Sequence, residues 1–380
     1  MRSRARSTIA RFGGRTSTVS LAETAARMEW GECWLEPPPM PPALAAEIKS
    51  RTGGFVPGWA TQLAAVPWVV RAFGLIVEKR LAHMPLALWD LIALVVSQDN
   101  SCRYCYGATH TMLRIFGYRD EQIDRIERDI HLSDLTPPEQ VALEFARKVS
   151  HANPRATALD RDALARAGYG PAVVAEVSYA AAFGGFTNRM SSSFALPPEK
   201  FEQMVDRPIA RLLRPLIARR LRGKHVPAVP LPQPNEGPCA EIVATLAGSP
   251  SAHVVRAVVD DAFASPILPR RTKLLMLAVI GRALGCGRSE NEARRGLASE
   301  GFGATDVDEI LANLGSAKLD RRDALLVPFA RETVRYQTAA IQRRTRELAG
   351  TLSTEEVIEA AGVAALANAV GRLSVLLETC

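Results

Sequence analysis

Histidine and cysteine are scarce in this chain, six of each among 380 residues, and aromatic side chains make up only 6%. The cysteines are also poorly grouped: Cys33, Cys239, Cys286 and Cys380 stand singly, and only Cys102 and Cys105 lie close together. Scattered thiols exclude the disulfide framework of a small secreted domain and point to a reducing cytoplasm. With no second Cys-x-x-Cys, a structural zinc site lacks its usual set of about four donors. No apolar run reaches the ~18 residues of a membrane span; Leu86 to Val96 comes nearest and carries Asp90. Strand-like alternation with turn dipeptides is missing, which removes the βαβ setting of a thioredoxin-type site. Acids are missing from the chain's opening, where Arg2, Arg4, Arg6, Arg11 and Arg15 precede Glu23. That opening reads as a flexible basic tail over residues 1–30, although a transit peptide has the same composition.

What is present fits an ordinary globular chain long enough for two domains: 47% hydrophobic, 23% charged, with 47 Lys+Arg against 40 Asp+Glu for a net +7. The chain also repeats itself. An offset of 184 relates Pro85 to Pro269, Cys102 to Cys286, Gly117 to Gly301, Asp124 to Asp308 and Leu135 to Leu319. The same offset lays Phe145-Ala146-Arg147 on Phe329-Ala330-Arg331 and Tyr118 on Phe302, and one deletion brings Asn188-Arg189-Met190 onto Gly371-Arg372-Leu373. One register held this long predicts two copies of one fold. Pro227, Pro230, Pro232, Pro234 and Pro238 mark the linker between them. The expected organisation is a first domain at 31–212, a linker at 213–238 and a second domain at 239–380. The basic amphipathic stretch from Ile209 to Lys224 is compatible with an acidic membrane or nucleic acid, but reads more simply as a solvated helix leading into the linker. No nucleic-acid partner is expected, because nothing aromatic or Gly-rich accompanies it.

The pattern is helical throughout, so the expected class is all-α. Leu88, Leu91, Ile92, Val95 and Val96 mark one buried helical face. Gln98 to Ser101 breaks that helix, with Asn100 or Ser101 suited to cap the next, which runs from Cys102 to about Phe116 and stops at Gly117. Further starts fall at Ser133 or Thr136, near Asp160, and at Gly170-Pro171.

Cys102 and Cys105 thereby occupy the first turn of a helix, on one side. Unpaired N–H groups at a helix start favour the thiolate over a thiol whose ordinary pKa is about 8.5. Such a thiolate can attack a peroxide O–O bond, and a neighbouring thiol can then close a disulfide. The bland alternative is a pair of small buried apolar residues.

An acidic residue on a helix twelve positions before a Cys-x-x-Cys, with a histidine close behind, resembles the alkylhydroperoxidase D / carboxymuconolactone decarboxylase superfamily. The Ser-x-x-x-x-Cys-x-Tyr-Cys run from Ser97 to Cys105 and the Thr187-Asn188-Arg189 segment add to that likeness. The resemblance implies an all-helical, oligomeric protein whose thiol branch reduces hydroperoxides and is recycled by a dihydrolipoamide- or thioredoxin-type dithiol, with neither cofactor nor metal. It implies Cys105 as the attacking thiol, Cys102 as the resolving thiol that meets the reductant, and Asp90 and His110 as the proton relay. Two residues depart from the pattern. Asp90 is one methylene shorter than the family's glutamate, and the position four residues past Cys105 is Thr109, with His110 one further on and rotated about 100° away. Tyr104 holds a position where a relay partner can lie. The second copy keeps Cys286 but has Leu274, Ser289 and Arg294 in place of Asp90, Cys105 and His110, so it is expected to be degenerate. The leading expectation is a thiol-dependent hydroperoxide reductase. A decarboxylase-like lyase and a non-enzymatic redox-sensing scaffold are the alternatives.

Overall fold

The computed structural model describes residues 28–199, 202, 208–222, 226–233 and 235–378. The arginines of the expected tail and Cys380 lie outside the described residues. Every regular element among the described residues is helical. Trp30, at the end of the expected tail, packs on the body and donates from Nε1 to the Leu196 carbonyl at 3.3 Å.

Helix boundaries follow local signals closely. The helix Leu86–Asp99 starts after Pro85, and Arg103–Phe116 ends at Gly117, whose φ of 99° is left-handed and suits a residue without Cβ. Pro137–Ser150 begins at Thr136 with Glu139 closing a capping box, and Pro171–Ser193 follows Gly170. One expectation is corrected. Neither Asn100 nor Ser101 caps helix Arg103–Phe116: Ser101 has φ 47°, the Asn100 amide is drawn inward to Ser150 and Asn188, and Cys102 itself is the N-cap.

The two halves carry matching helices at matching positions. At the offset of 184 the starts of Pro67–Val77, Leu86–Asp99, Asp120–Arg128 and Pro137–Ser150 fall on those of Ser251–Ala264, Arg270–Leu284, Ala304–Asn313 and Arg321–Arg335. Cys102 and Cys286 are both N-caps, with φ/ψ of −88°/89° and −90°/86°. The long helices Pro171–Ser193 and Thr354–Leu373 pack on each other, as do Pro67–Val77 and Ser251–Ala264. In these two pairs a helix meets its own counterpart, the contact pattern of elements lying on a two-fold axis.

Buried polar groups keep the same symmetry. Arg189 donates from Nε to the Thr333 carbonyl across the halves at 3.1 Å, and Arg372 returns the contact to the Ser150 carbonyl at 3.3 Å. Glu176 accepts from the N–H groups of Ala82, His83 and Met84, and Glu359 from that of Leu268, so one carboxylate in each half pins the loop that precedes the acid-bearing helix position. Each carboxylate satisfies N–H groups that would otherwise be buried unpaired at a cost of about 1–3 kcal/mol apiece.

A single continuous apolar core runs through both halves. Thr354–Leu373 and its short 3₁₀ extension are long and apolar enough to cross a membrane, yet 89% of the most apolar window is buried inside the fold. The expected domain boundary at 212/213 falls inside a helix, Pro208–Arg222, which runs through Pro215. That helix packs on Arg103–Phe116, with Ala218 buried, and leaves Leu212 and Leu216 exposed, at 81% and 66%.

Candidate active site

Helix Arg103–Phe116 sets the thiols against helix Pro171–Ser193. Cys102 at the N-cap and Cys105 at the third helical position hydrogen-bond one another, and both are free thiols. Cys105 Sγ lies 3.6 Å from Ser191 Oγ and 3.9 Å from Thr187 Oγ1, while Cys102 Sγ points at the Asn188 carbonyl, 3.8 Å away. The Thr187-Asn188-Arg189 segment quoted from the sequence is therefore the floor under the pair.

These neighbours polarise the two thiols in opposite directions. Burial pushes Cys105 up, but hydrogen bonds from Cys102, Ser191, Asn188 and Thr187 outweigh it and hold Cys105 below the ordinary thiol value. Burial, and then the hydrogen bond and charge interaction with Cys105, push Cys102 well up. The arrangement sets a more acidic thiol beside a less acidic one. The named hydrogen bonds of the site, which no spacing rule could supply, make that division.

A cavity of about 380 Å³ opens onto this pair. Cys105 lines it and Cys102 does not, being fully buried behind. Most of its wall is apolar, including Phe55, Trp59, Phe73, Trp89 and Met112. Set into that wall are Asp90, Lys79, Tyr104, Thr109 and Glu199. Asp90 holds Lys79 Nζ with both oxygens at 2.6 and 2.7 Å. Burial raises the Asp90 carboxyl, with Lys79 opposing. Tyr104 donates to Glu199 at 2.8 Å, and burial followed by the Glu199 charge keeps it a neutral phenol.

The structure thus brings Cys102, Cys105 and Asp90 around one cavity and its floor, and leaves His110 out. His110 is buried against Tyr106 at a ring distance of 5.9 Å, and Thr109 takes the cavity-facing position. The reason is the helical repeat: the fifth residue after Cys105 is turned away, and helix Arg103–Phe116 is regular through this point. Lys79 and Glu199 were missed. Lys79 belongs to a charged trio, Glu78-Lys79-Arg80, that interrupts an apolar stretch, and nothing in that local pattern links it to Asp90. Glu199 reaches the site from a distant loop, and no sequence pattern links it to Tyr104. Among the described residues no group of three or more His, Cys, Asp or Glu side chains is placed to hold a metal.

No family model matches the chain, and no curated protein does. Among solved structures the chain is similar to one described as the crystal structure of alkylhydroperoxidase AhpD core, an uncharacterized peroxidase-related protein from Ralstonia eutropha JMP134. The likeness has 23% sequence identity over 46% of this chain and 96% of that one, with a TM-score of 0.40. The site's chemistry rests on its own geometry.

Proposed function

We propose that the chain is a thiol-dependent hydroperoxide reductase of the alkylhydroperoxidase D-like kind, with a first, catalytic half and a second, non-catalytic half derived by internal duplication. One observation carries this reading: two free, mutually hydrogen-bonded thiols share a helix start, and only Cys105, the one held below the ordinary thiol value, faces the cavity. Cys105 thiolate attacks the terminal oxygen of a hydroperoxide, the O–O bond breaks, and the sulfur becomes a sulfenic acid. The leaving alkoxide takes a proton from the Lys79–Asp90 pair and departs as an alcohol. Cys102 sulfur then forms the S–S bond, the S–O bond of the sulfenic acid breaks, and the thiol proton leaves with the hydroxide as water. An external dithiol reduces the disulfide by exchange and becomes a disulfide itself. Because Cys102 is enclosed, the dithiol enters by the cavity and attacks Cys105, a reversal of the order that the family resemblance implies.

Titrating thiols before and after one equivalent of an organic hydroperoxide tests the proposal. The expected result is loss of two thiols per chain in the wild type and none in Cys105→Ser. Retention of both thiols by the wild type would overturn the proposal. Turnover of a lactone acid by a variant with both cysteines changed to serine would then select the lyase alternative.

A further inference from the structure

The second half reaches into the redox site with one side chain that the peroxide chemistry above does not use. Tyr336, from the end of helix Arg321–Arg335, places its hydroxyl 2.8 Å from the Asn188 carbonyl and 2.5 Å from Ser192 Oγ. Ser192 in turn hydrogen-bonds Cys102, and the same Asn188 carbonyl accepts from the Cys102 thiol. The Tyr336 ring is clamped under the Arg189 guanidinium, 4.9 Å from its centroid, and Arg189 is itself tied to the Gly185 and Thr333 carbonyls. Tyr336 holds a left-handed backbone, φ 44°, which is costly for a bulky residue and survives only where its surroundings impose it. Nearby, Thr338 Oγ1 donates to the Asn100 carbonyl at 2.9 Å and fixes the turn that presents Cys102. The corresponding position of the first half, 184 residues earlier, is Ala152, which has no hydroxyl to return.

We propose that Tyr336 is a positioning residue for the resolving thiol, supplied by the non-catalytic half and acting on Cys102 through Ser192. A hydroxyl has one hydrogen to donate. While Tyr336 gives its hydrogen to Asn188, Ser192 gives its own to Tyr336, and the Cys102 thiol gives its hydrogen to the same Asn188 carbonyl. Rotating both hydroxyls reverses the chain, and Ser192 then donates to the sulfur as Cys102 loses its proton and attacks the Cys105 sulfenic acid. The proton leaves with the hydroxide as water, so the hydroxyl pair is unchanged after each cycle. This gives the second half a task in catalysis although it carries no redox pair.

The inference rests on the peroxidase reading, and the test separates the two. Reduced full-length chain receives one equivalent of hydroperoxide, and the Cys105 sulfenic acid is trapped with dimedone and weighed against disulfide by mass spectrometry from about pH 6 to 9. In Tyr336→Phe, which keeps the ring under Arg189, sulfenic acid should form at the wild-type rate. Its conversion to disulfide should slow about tenfold, with the pH midpoint of that step raised by about one unit. Ser192→Ala should do the same, and the double variant should add nothing. Unchanged disulfide formation at every pH in either folded single variant overturns the inference, whatever happens to stability. A wild type that forms neither sulfenic acid nor disulfide overturns the peroxidase reading and this inference with it.

Discussion

The two halves share a scaffold and differ in what their equivalent positions can do. Cys102 and Cys286 both cap a helix, but the partner three residues on is a thiol in one and Ser289 in the other. Cys286 is left to hydrogen-bond that hydroxyl at 3.2 Å. Asp90 with Lys79 in the first half becomes Leu274 with Phe263 in the second. The reverse asymmetry appears next to it: the second half holds a buried Lys273–Glu359 ion pair at 2.8 Å, whereas Glu176 in the first half satisfies backbone and Ser249 instead. Positions the halves share include those that close loops, cap helices and tie one half to the other, and Asp90, Lys79 and Cys105, where they diverge, line the cavity. Folding constrains the first set, chemistry the second.

Converting the first half's thiol to the second half's residue should have the largest effect. Cys105→Ser should lower hydroperoxide-dependent turnover by about 10³-fold or more, read by peroxide consumption with a dithiol present. A variant that kept wild-type turnover would break the functional contrast between the halves.

The ion pair is the next comparison. Glu359→Ala leaves Lys273 charged and buried, and should cost about 3–5 kcal/mol in denaturant unfolding. Glu176→Gln leaves no orphan charge and should cost about 1–3 kcal/mol. Equal losses would mean that the two carboxylates do the same structural work after all.

Within the cavity, Asp90→Asn should slow the first oxidative step by about 10- to 100-fold. His110→Gln should stay within about threefold, because His110 lies outside the cavity wall. The measurement is single-turnover sulfenic acid formation, and a larger loss in the His110 variant would restore the relay that the family resemblance implies.

The smallest expected effect tests the far side of the redox helix. Burial, eased by Tyr106, raises Glu127 to about 7. A carboxyl raised in the fold stabilises it most below its unfolded pKa of about 4.5, and the contribution is lost as pH rises through about 7. Glu127→Gln should therefore unfold at a higher temperature than the wild type at about pH 8 and match it near pH 5. No pH-dependent difference between the two melting curves would show Glu127 to be solvated.

Much of the scaffold was legible because its signals are local. Thr136 with Glu139, Gly117 after Phe116 and Gly170-Pro171 each act within one turn of chain, and each marks a helix end in the structure. The cysteine pair was legible for the same reason, as a spacing within one helix start, and Asp90 was singled out only through the family resemblance. The cap of the redox helix was misread because Asn100 is drawn by a tertiary partner: its amide meets Asn188, which lies 88 residues away. Lys79, Glu199 and Tyr336 could not be found from spacing, since each reaches the site from a loop or helix end whose position depends on the packing of the whole.

By itself, then, the sequence determined an all-helical chain, the placing of two thiols at one helix start, and a second half without a redox pair, because these depend on periodicity, caps and residue identity. Tertiary structure alone decided which thiol is the more acidic, which one faces the cavity, that Thr109 rather than His110 lines it, and that Tyr336 of the other half stands behind Cys102. Those outcomes depend on burial and on hydrogen bonds between residues far apart in the chain, and such contacts exist only once the long helices of the two halves have packed.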